Sequence, residues 1–276
     1  MRTALILRSR ERAEHLGQRL TERKIRVLMA PITEILPPTD PAPLATATSR
    51  IKDFDWVVLT SVNTVLALAE VATDLSNRKQ ALAATLAPGP RWAVVGPGTA
   101  SALRAVGVTP DLVAAGTAAD LIAAFPNASP PNSFPCPPQS HDLLPDQNGP
   151  DAKGRSARVL LPLGNLAGNQ LETSLAAKGW ETTRVEAYRT ISHALPDDVI
   201  KLAQRGEINV AIVAAGSQAR ELARQLGGFA PPVVTIGEPS AEAALAVELH
   251  VVGVATEPTD DALASVTLRY LEGLTP

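Results

Sequence analysis

Asp55-Trp56-Val57-Val58-Leu59-Thr60-Ser61-Val62-Asn63 is the stretch that decides the fold. Four consecutive apolar residues, bounded by Asp55 and by Thr60-Ser61, read as a short strand buried on both faces. A strand of that kind belongs to a parallel sheet covered by helices. The helix expected to cover it runs through residues 65–71. A second copy stands at Asn209-Val210-Ala211-Ile212-Val213-Ala214-Ala215, again followed by small and hydroxyl residues and a helix pattern.

The same alternation extends both ways. Strands are expected at residues 4–7, 25–30, 91–95, 158–161, 181–188 and 233–236, and helices at residues 10–24 and 100–106. In the first helix Ala13, Leu16 and Leu20 recur at helical spacing. Strand, helix, strand in succession implies parallel pairing through right-handed crossovers. The pieces also repeat in order. Leu5-Ile6-Leu7 parallels Leu160-Leu161, and Val95-Gly96-Pro97-Gly98-Thr99-Ala100 parallels Ile236-Gly237-Glu238-Pro239-Ser240-Ala241. Ala115-Gly116-Thr117 ahead of Asp120-Leu121 parallels Ala255-Thr256-Glu257 ahead of Ala262-Leu263. The chain therefore reads as two similar α/β domains, each a parallel sheet flanked by helices.

Residues 126–154 interrupt this pattern. They are rich in Pro, Asn, Ser and Asp and almost free of apolar periodicity, so they read as a long, mobile surface loop. A shorter polar stretch, residues 37–43, is a candidate crossing between domains.

Composition excludes several classes of function. A net charge of −3 gives no basic surface for nucleic acid. An acidic ligand must then be held by local groups rather than by the overall field. Cys136 is the only cysteine, so an internal disulfide or a Cys-rich metal site is not expected. His15, His141, His193 and His250 show no metal-ligand spacing. The apolar segment at residues 4–7 is too short for a signal sequence, and no apolar run is long enough to span a membrane, so a cytoplasmic protein is expected. There is no phosphate loop of the GxxxxGK[ST] type, no GxGxxG after the first strand and no GxSxG elbow.

In an open parallel sheet, ligands bind beyond the carboxyl ends of the strands. The loops there hold Arg8, then Thr60, Ser61 and Asn63, then Gly96, Thr99 and Ala100, then Gly216 and Ser217, then Gly237 and Ser240. They are small, hydroxyl-bearing or glycine-rich, and most open a helix, which suits carboxylates or phosphates. For Thr60, Ser61, Thr99, Ser217 and Ser240 the plain alternative is ordinary helix N-capping. Tyr188, at the end of a strand before Arg189-Thr190, is either a sheet-edge aromatic or a functional phenol.

With those residues assembled, the chain resembles the uroporphyrinogen-III synthase family. The resemblance rests on Arg8 after the first strand, Pro31-Ile32, Asp55 through Asn63, and Val95 through Ala100. It also rests on Leu160-Leu161-Pro162 with Gly164, Val185-Glu186-Ala187-Tyr188-Arg189-Thr190, and Glu257-Pro258-Thr259. It implies a HemD-like, flavodoxin-like pair of α/β domains joined by a two-stranded linker, with a cleft between them. Residues 1–36 and 191–276 would form one discontinuous domain, and residues 37–190 the inserted second, containing loop 126–154.

The implied reaction cyclises hydroxymethylbilane to uroporphyrinogen III with loss of water and inversion of ring D, in heme biosynthesis. The resemblance implies no metal or organic cofactor, no nucleic-acid or membrane partner, and a monomer. By the same resemblance, Tyr188 assists loss of the hydroxyl, while Thr99, Ser61, Asn63, Ser217 and Ser240 match polar positions around the substrate. Four residues depart from the family pattern. Ala214-Ala215 replaces a common Thr-Ser, Ser240 replaces Thr, and Leu163 stands where arginine is common. A noncatalytic two-lobed binding module, or a degenerate homologue for an anionic small molecule, is the alternative that those departures leave open.

Overall fold

In the computed structural model, which describes residues 1–76, 89–128 and 157–274, successive residues of each central strand go to opposite sides of a sheet. Val57 and Leu59 join one apolar cluster, while Trp56 and Val58 join another. Leu5 and Leu7 divide from Ala4 and Ile6 in the same way. Two-sided burial explains why these strands are continuously apolar rather than alternating.

The chain divides into two compact units, Met1–Leu36 with Thr190–Pro276, and Pro37–Arg189. The first contains β1 (Thr3–Ile6), β2 (Arg26–Met29), β9 (Val210–Val213), β10 (Val233–Thr235) and β11 (Val251–Val254), in the order β11-β10-β9-β1-β2. All of these pairings are parallel. Helices α1 (Arg10–Glu22) and α10 (Asp260–Gly273) cover one face with Ala13, Leu16, Leu20, Leu263 and Leu271. The other face takes α7 (Asp197–Gln204), α8 (Gly216–Leu226) and α9 (Glu238–Leu245) through Leu202, Leu222 and Ala244.

The second unit repeats the plan. Its strands are β4 (Trp56–Leu59), β5 (Arg91–Val94), β6 (Leu112–Val113), β7 (Arg158–Gly164) and β8 (Glu181–Ser192), the last of which runs on past Arg189. With β3 (Thr33–Leu36) added at one edge, the order is β3-β8-β7-β4-β5-β6. Helices α2 (Ala42–Ser49), α3 (Val62–Ser76) and α4 (Pro97–Ala105) cover one face. Helices α5 (Ala118–Ala124) and α6 (Gln170–Ala177) cover the other. Reading β4, β5, β6, β7 and β8 as counterparts of β9, β10, β11, β1 and β2 reproduces one strand order in both sheets. That is the internal repeat seen in the sequence.

The chain passes between units at 36/37 and 189/190. His193 N–H donates to Ile32 C=O at 3.0 Å, and Arg189 Nε donates to Pro37 C=O at 3.2 Å. One strand advances as the other retreats, so β3 and the end of β8 run antiparallel. The polar stretch 37–43 holds no strand; α2 starts within it, at Ala42.

The expected loop 126–154 begins with residues that are tied down. Trp180 Nε1 donates to Pro126 C=O at 2.8 Å, and Ala128 N–H donates to Lys178 C=O at 2.9 Å. Phe125 packs between Trp56 and Trp180, with ring centroids 5.0 and 5.7 Å away. Residues 129–154, with Cys136 and His141, lie outside the described residues.

Candidate active site

Each sheet reverses its direction of growth once. In the first unit the reversal lies between β1 and β9, and in the second between β7 and β4. At such a switch point the two following loops diverge to opposite faces and leave a crevice. Among the candidate residues, Arg8, Thr60, Ser61, Asn63, Gly216 and Ser217 stand in the loops that border these two crevices.

In the second unit the crevice holds a chain of hydroxyls. Ser61 follows β4 and caps α3, its Oγ accepting from Thr64 N–H at 3.2 Å. Ser61 Oγ lies 3.1 Å from Thr64 Oγ1 and donates to Tyr188 Oη at 3.1 Å. Tyr188 reaches this point because β7 ends in glycine. Gly164 pairs with Tyr188 after a register shift, and Asn165 N–H donates to Tyr188 C=O at 3.2 Å. A β-carbon at Gly164 would stand 2.6 Å from Tyr188 Cζ and 2.9 Å from its Oη. The half-buried phenol therefore rests on bare backbone, its ring packed against the core behind it. Thr60 and Asn63, also half-buried, flank Ser61.

The crevice of the first unit is filled differently. Gln218 is 6% exposed; its Nε2 donates to Leu7 C=O at 3.2 Å and its Oε1 accepts from Ala214 N–H at 2.8 Å. One side chain thus bridges the ends of β1 and β9. Beside it, Arg8 Nη1 donates to Asp260 Oδ1 at 2.7 Å. Arg8 is accordingly neutralised by a partner rather than left as a free cation.

Several helices present their first turns at strand ends. Three of them lack the side-chain cap that the sequence offered. The capping positions of α4, α8 and α9 are Gly96, Ala215 and Gly237, none with a side-chain cap bond. Thr99, Ser217 and Ser240 sit inside the first turns instead, so N-capping does not explain them. Thr99 and Ser240 occupy the same third helical position in the two units, and each is 6% exposed. The N–H groups of Gly98 and Thr99 begin a helix and have no partner within it. A β-carbon at Gly98 would meet nothing within 4 Å, so the first turn of α4 is open on that side.

Other sequence expectations change here. Ala100 is 0% exposed in the core and its N–H donates to Gly96 C=O at 3.0 Å, so it has nothing to offer a ligand. Gly96 is needed for packing, since a β-carbon there would stand 3.1 Å from the Gly116 α-carbon. Gly216 lets α8 approach α9; its β-carbon would stand 2.8 Å from that of Ala243. Leu163, at the position where arginine is common, is a residue of β7 buried in the core.

Thr64, Gln218 and Asp260 were not picked out from sequence. Gln218 had a signal: with Glu221 it interrupts the buried stripe of Ala219, Leu222 and Leu226 on α8. Glu221 accepts from Arg224 and Gln225, and the Arg224 bond holds its carboxyl below the ordinary carboxylate range. Gln225 in turn donates to His193 C=O at 2.8 Å and accepts from Leu195 N–H at 2.6 Å. This network ties the end of β8 to α8.

Among the described residues no group of three His, Cys, Asp or Glu side chains could hold a metal ion. Likewise no helix among them is long and apolar enough to cross a membrane.

Crystal structures of uroporphyrinogen III synthases share this fold. A variant of the Thermus thermophilus enzyme aligns at TM-score 0.73 and 17% identity, over 99% of this chain and 100% of that one. The wild-type Thermus thermophilus enzyme in another crystal form aligns at 0.59 and 17%, over 99% and 98%. The Helicobacter pylori protein aligns at 0.50 and 14%, over 98% and 99%. At these identities the likeness establishes the fold alone. No curated protein sequence matches. The family model for uroporphyrinogen-III synthase HemD matches residues 14–265. With nearly the whole chain accounted for by that model, the chain belongs to the uroporphyrinogen-III synthase family.

Proposed function

We propose that the hydroxyl-lined crevice of the second unit is where this chain carries out the family's reaction, the closure of hydroxymethylbilane to uroporphyrinogen III. The observation that carries the reading is the placement of Tyr188 at the switch point, hydrogen-bonded to Ser61 and seated on Gly164. The phenol donates its proton to the hydroxyl leaving ring A, which departs as water. The cation left behind is attacked by the substituted carbon of ring D, and the spiro intermediate fragments and recloses inverted. The pyrrole carbon that joins the ring sheds a proton, which returns the balance to the phenolate.

Because the substrate closes on its own to the uninverted isomer, the protein's task is chiefly orientation. Substrate carboxylates are met by the first-turn N–H groups and hydroxyls of Thr60, Asn63 and Thr99 in the second unit. Gly216, Ser217, Gly237 and Ser240 in the first unit serve in the same way. Arg8 takes part through its pair with Asp260, which orders the loop after β1. We further propose that the chain works as a cytoplasmic monomer and needs no cofactor.

Freshly prepared hydroxymethylbilane supplied to the purified chain tests this. Type III product above the spontaneous background supports it. Type I alone, with the substrate still bound, supports instead a noncatalytic binding module, the reading favoured by the Gln218 bridge and by Ala214-Ala215.

A further inference from the structure

We infer that Thr64 and Ser61 are positioning residues that aim the Tyr188 proton, an inference that rests on Tyr188 being the proton donor. A serine hydroxyl has one proton and two lone pairs. Ser61 Oγ has three polar neighbours: Thr64 N–H at 3.2 Å, Thr64 Oγ1 at 3.1 Å and Tyr188 Oη at 3.1 Å. These fill its whole capacity, so Ser61 has nothing left for a substrate carboxylate and is not a ligand.

The direction of the chain follows from burial. Thr64 is 0% exposed, and among the described residues the oxygen within bonding distance of its hydroxyl is that of Ser61. A buried hydroxyl proton needs an acceptor. If Ser61 donated to Thr64, the Thr64 proton would be left without one. Thr64 therefore donates to Ser61, and Ser61 donates to Tyr188. With its lone pair facing Ser61, the phenol directs its own proton elsewhere.

This wiring also acts during the reaction. As Tyr188 gives up its proton, its oxygen becomes negative, and the bond from Ser61 becomes charge-assisted. That gain exists in the transition state and not in the ground state, so it belongs to kcat rather than KM.

The test is steady-state kinetics on the full chain with hydroxymethylbilane. Ser61→Ala is expected to lower kcat roughly ten- to hundred-fold with KM within about two-fold. Ser61→Thr, which keeps the hydroxyl, should recover most of the loss. In a Tyr188→Phe background, Ser61→Ala should cost nothing further. Thr64→Val keeps the cap on α3 and should lower kcat by a smaller factor, which guards against a folding defect in Ser61→Ala. A raised KM at unchanged kcat in Ser61→Ala would make Ser61 a ligand and overturn the inference. So would wild-type kcat in folded Thr64→Val, or a full additive loss in the Tyr188→Phe background. Tyr188→Phe with unchanged kcat would sink the donor reading and this inference together. A Tyr188→Phe loss beside a wild-type Ser61→Ala would sink this inference alone.

Discussion

Tyr188 lies across Gly164 so closely that an added β-carbon would stand 2.6 Å from Cζ and 2.8 Å from Cε2. Apolar contact begins at about 3.5 Å, so the ring must swing by about an ångström to admit a methyl group. That movement breaks the 3.1 Å bond from Ser61. Gly164→Ala is therefore expected to lose most turnover while costing only about 1–3 kcal/mol of stability. Thermal melts alongside kcat separate the two effects, and a folded variant with undiminished kcat would contradict the seating of the phenol.

Gln218 bridges Leu7 and Ala214 from a buried position. Gln218→Leu keeps the volume but strands a carbonyl and an N–H, each costing about 1–3 kcal/mol when buried without a partner. Chemical denaturation should show the loss. An unchanged denaturation midpoint would mean that water or a neighbouring group replaces the bridge.

Much of the architecture could be read from residue order. Trp56 through Leu59 and Val210 through Val213 are strands buried on both faces, as their short, β-branched apolar runs bounded by polar and small residues indicated. What the sequence concealed depends on tertiary approach. Gly164 looks like any loop glycine until Tyr188 is laid over it. Thr64 looks like an ordinary first-turn threonine until its burial leaves its proton, among the described residues, one acceptor in Ser61. Thr99, Ser217 and Ser240 look like caps because their side chains suit that role, but Gly96, Ala215 and Gly237 come earlier in the loops and take the capping position. The helix at Ala42–Ser49 was also missed, being short and weakly patterned, while the strand at Thr33–Leu36 was expected only through the family's two-stranded linker.

Thr99 offers a hydroxyl and an N–H at the open first turn of α4. Removal of one hydrogen bond to a charged carboxylate costs about 1.5–3 kcal/mol. Thr99→Ala is accordingly expected to lower kcat/KM by roughly ten- to hundred-fold. Wild-type kinetics would remove Thr99 from the substrate's contacts.

The carboxyl of Glu221 is held below its ordinary range first by Arg224, then by Gln225 and Ser192, against an opposing effect of burial. A carboxylate whose folded pKa is depressed stabilises the fold above its unfolded pKa, and that stability is lost as pH falls through the folded pKa. Stability should therefore decline on the acid side of the ordinary carboxylate range, and Glu221→Gln should flatten that decline. Melting temperature followed from neutral to acid pH in both proteins checks this; parallel curves would contradict it.

Turnover of hydroxymethylbilane by wild type and Tyr188→Phe, with the product isomers resolved, bears most directly on the whole account. The wild-type chain should yield the inverted type III isomer, and the phenylalanine variant should melt normally yet form type III at a much reduced, residual rate, with the type I isomer that forms unaided predominating. Type III product at an undiminished rate from Tyr188→Phe would contradict it.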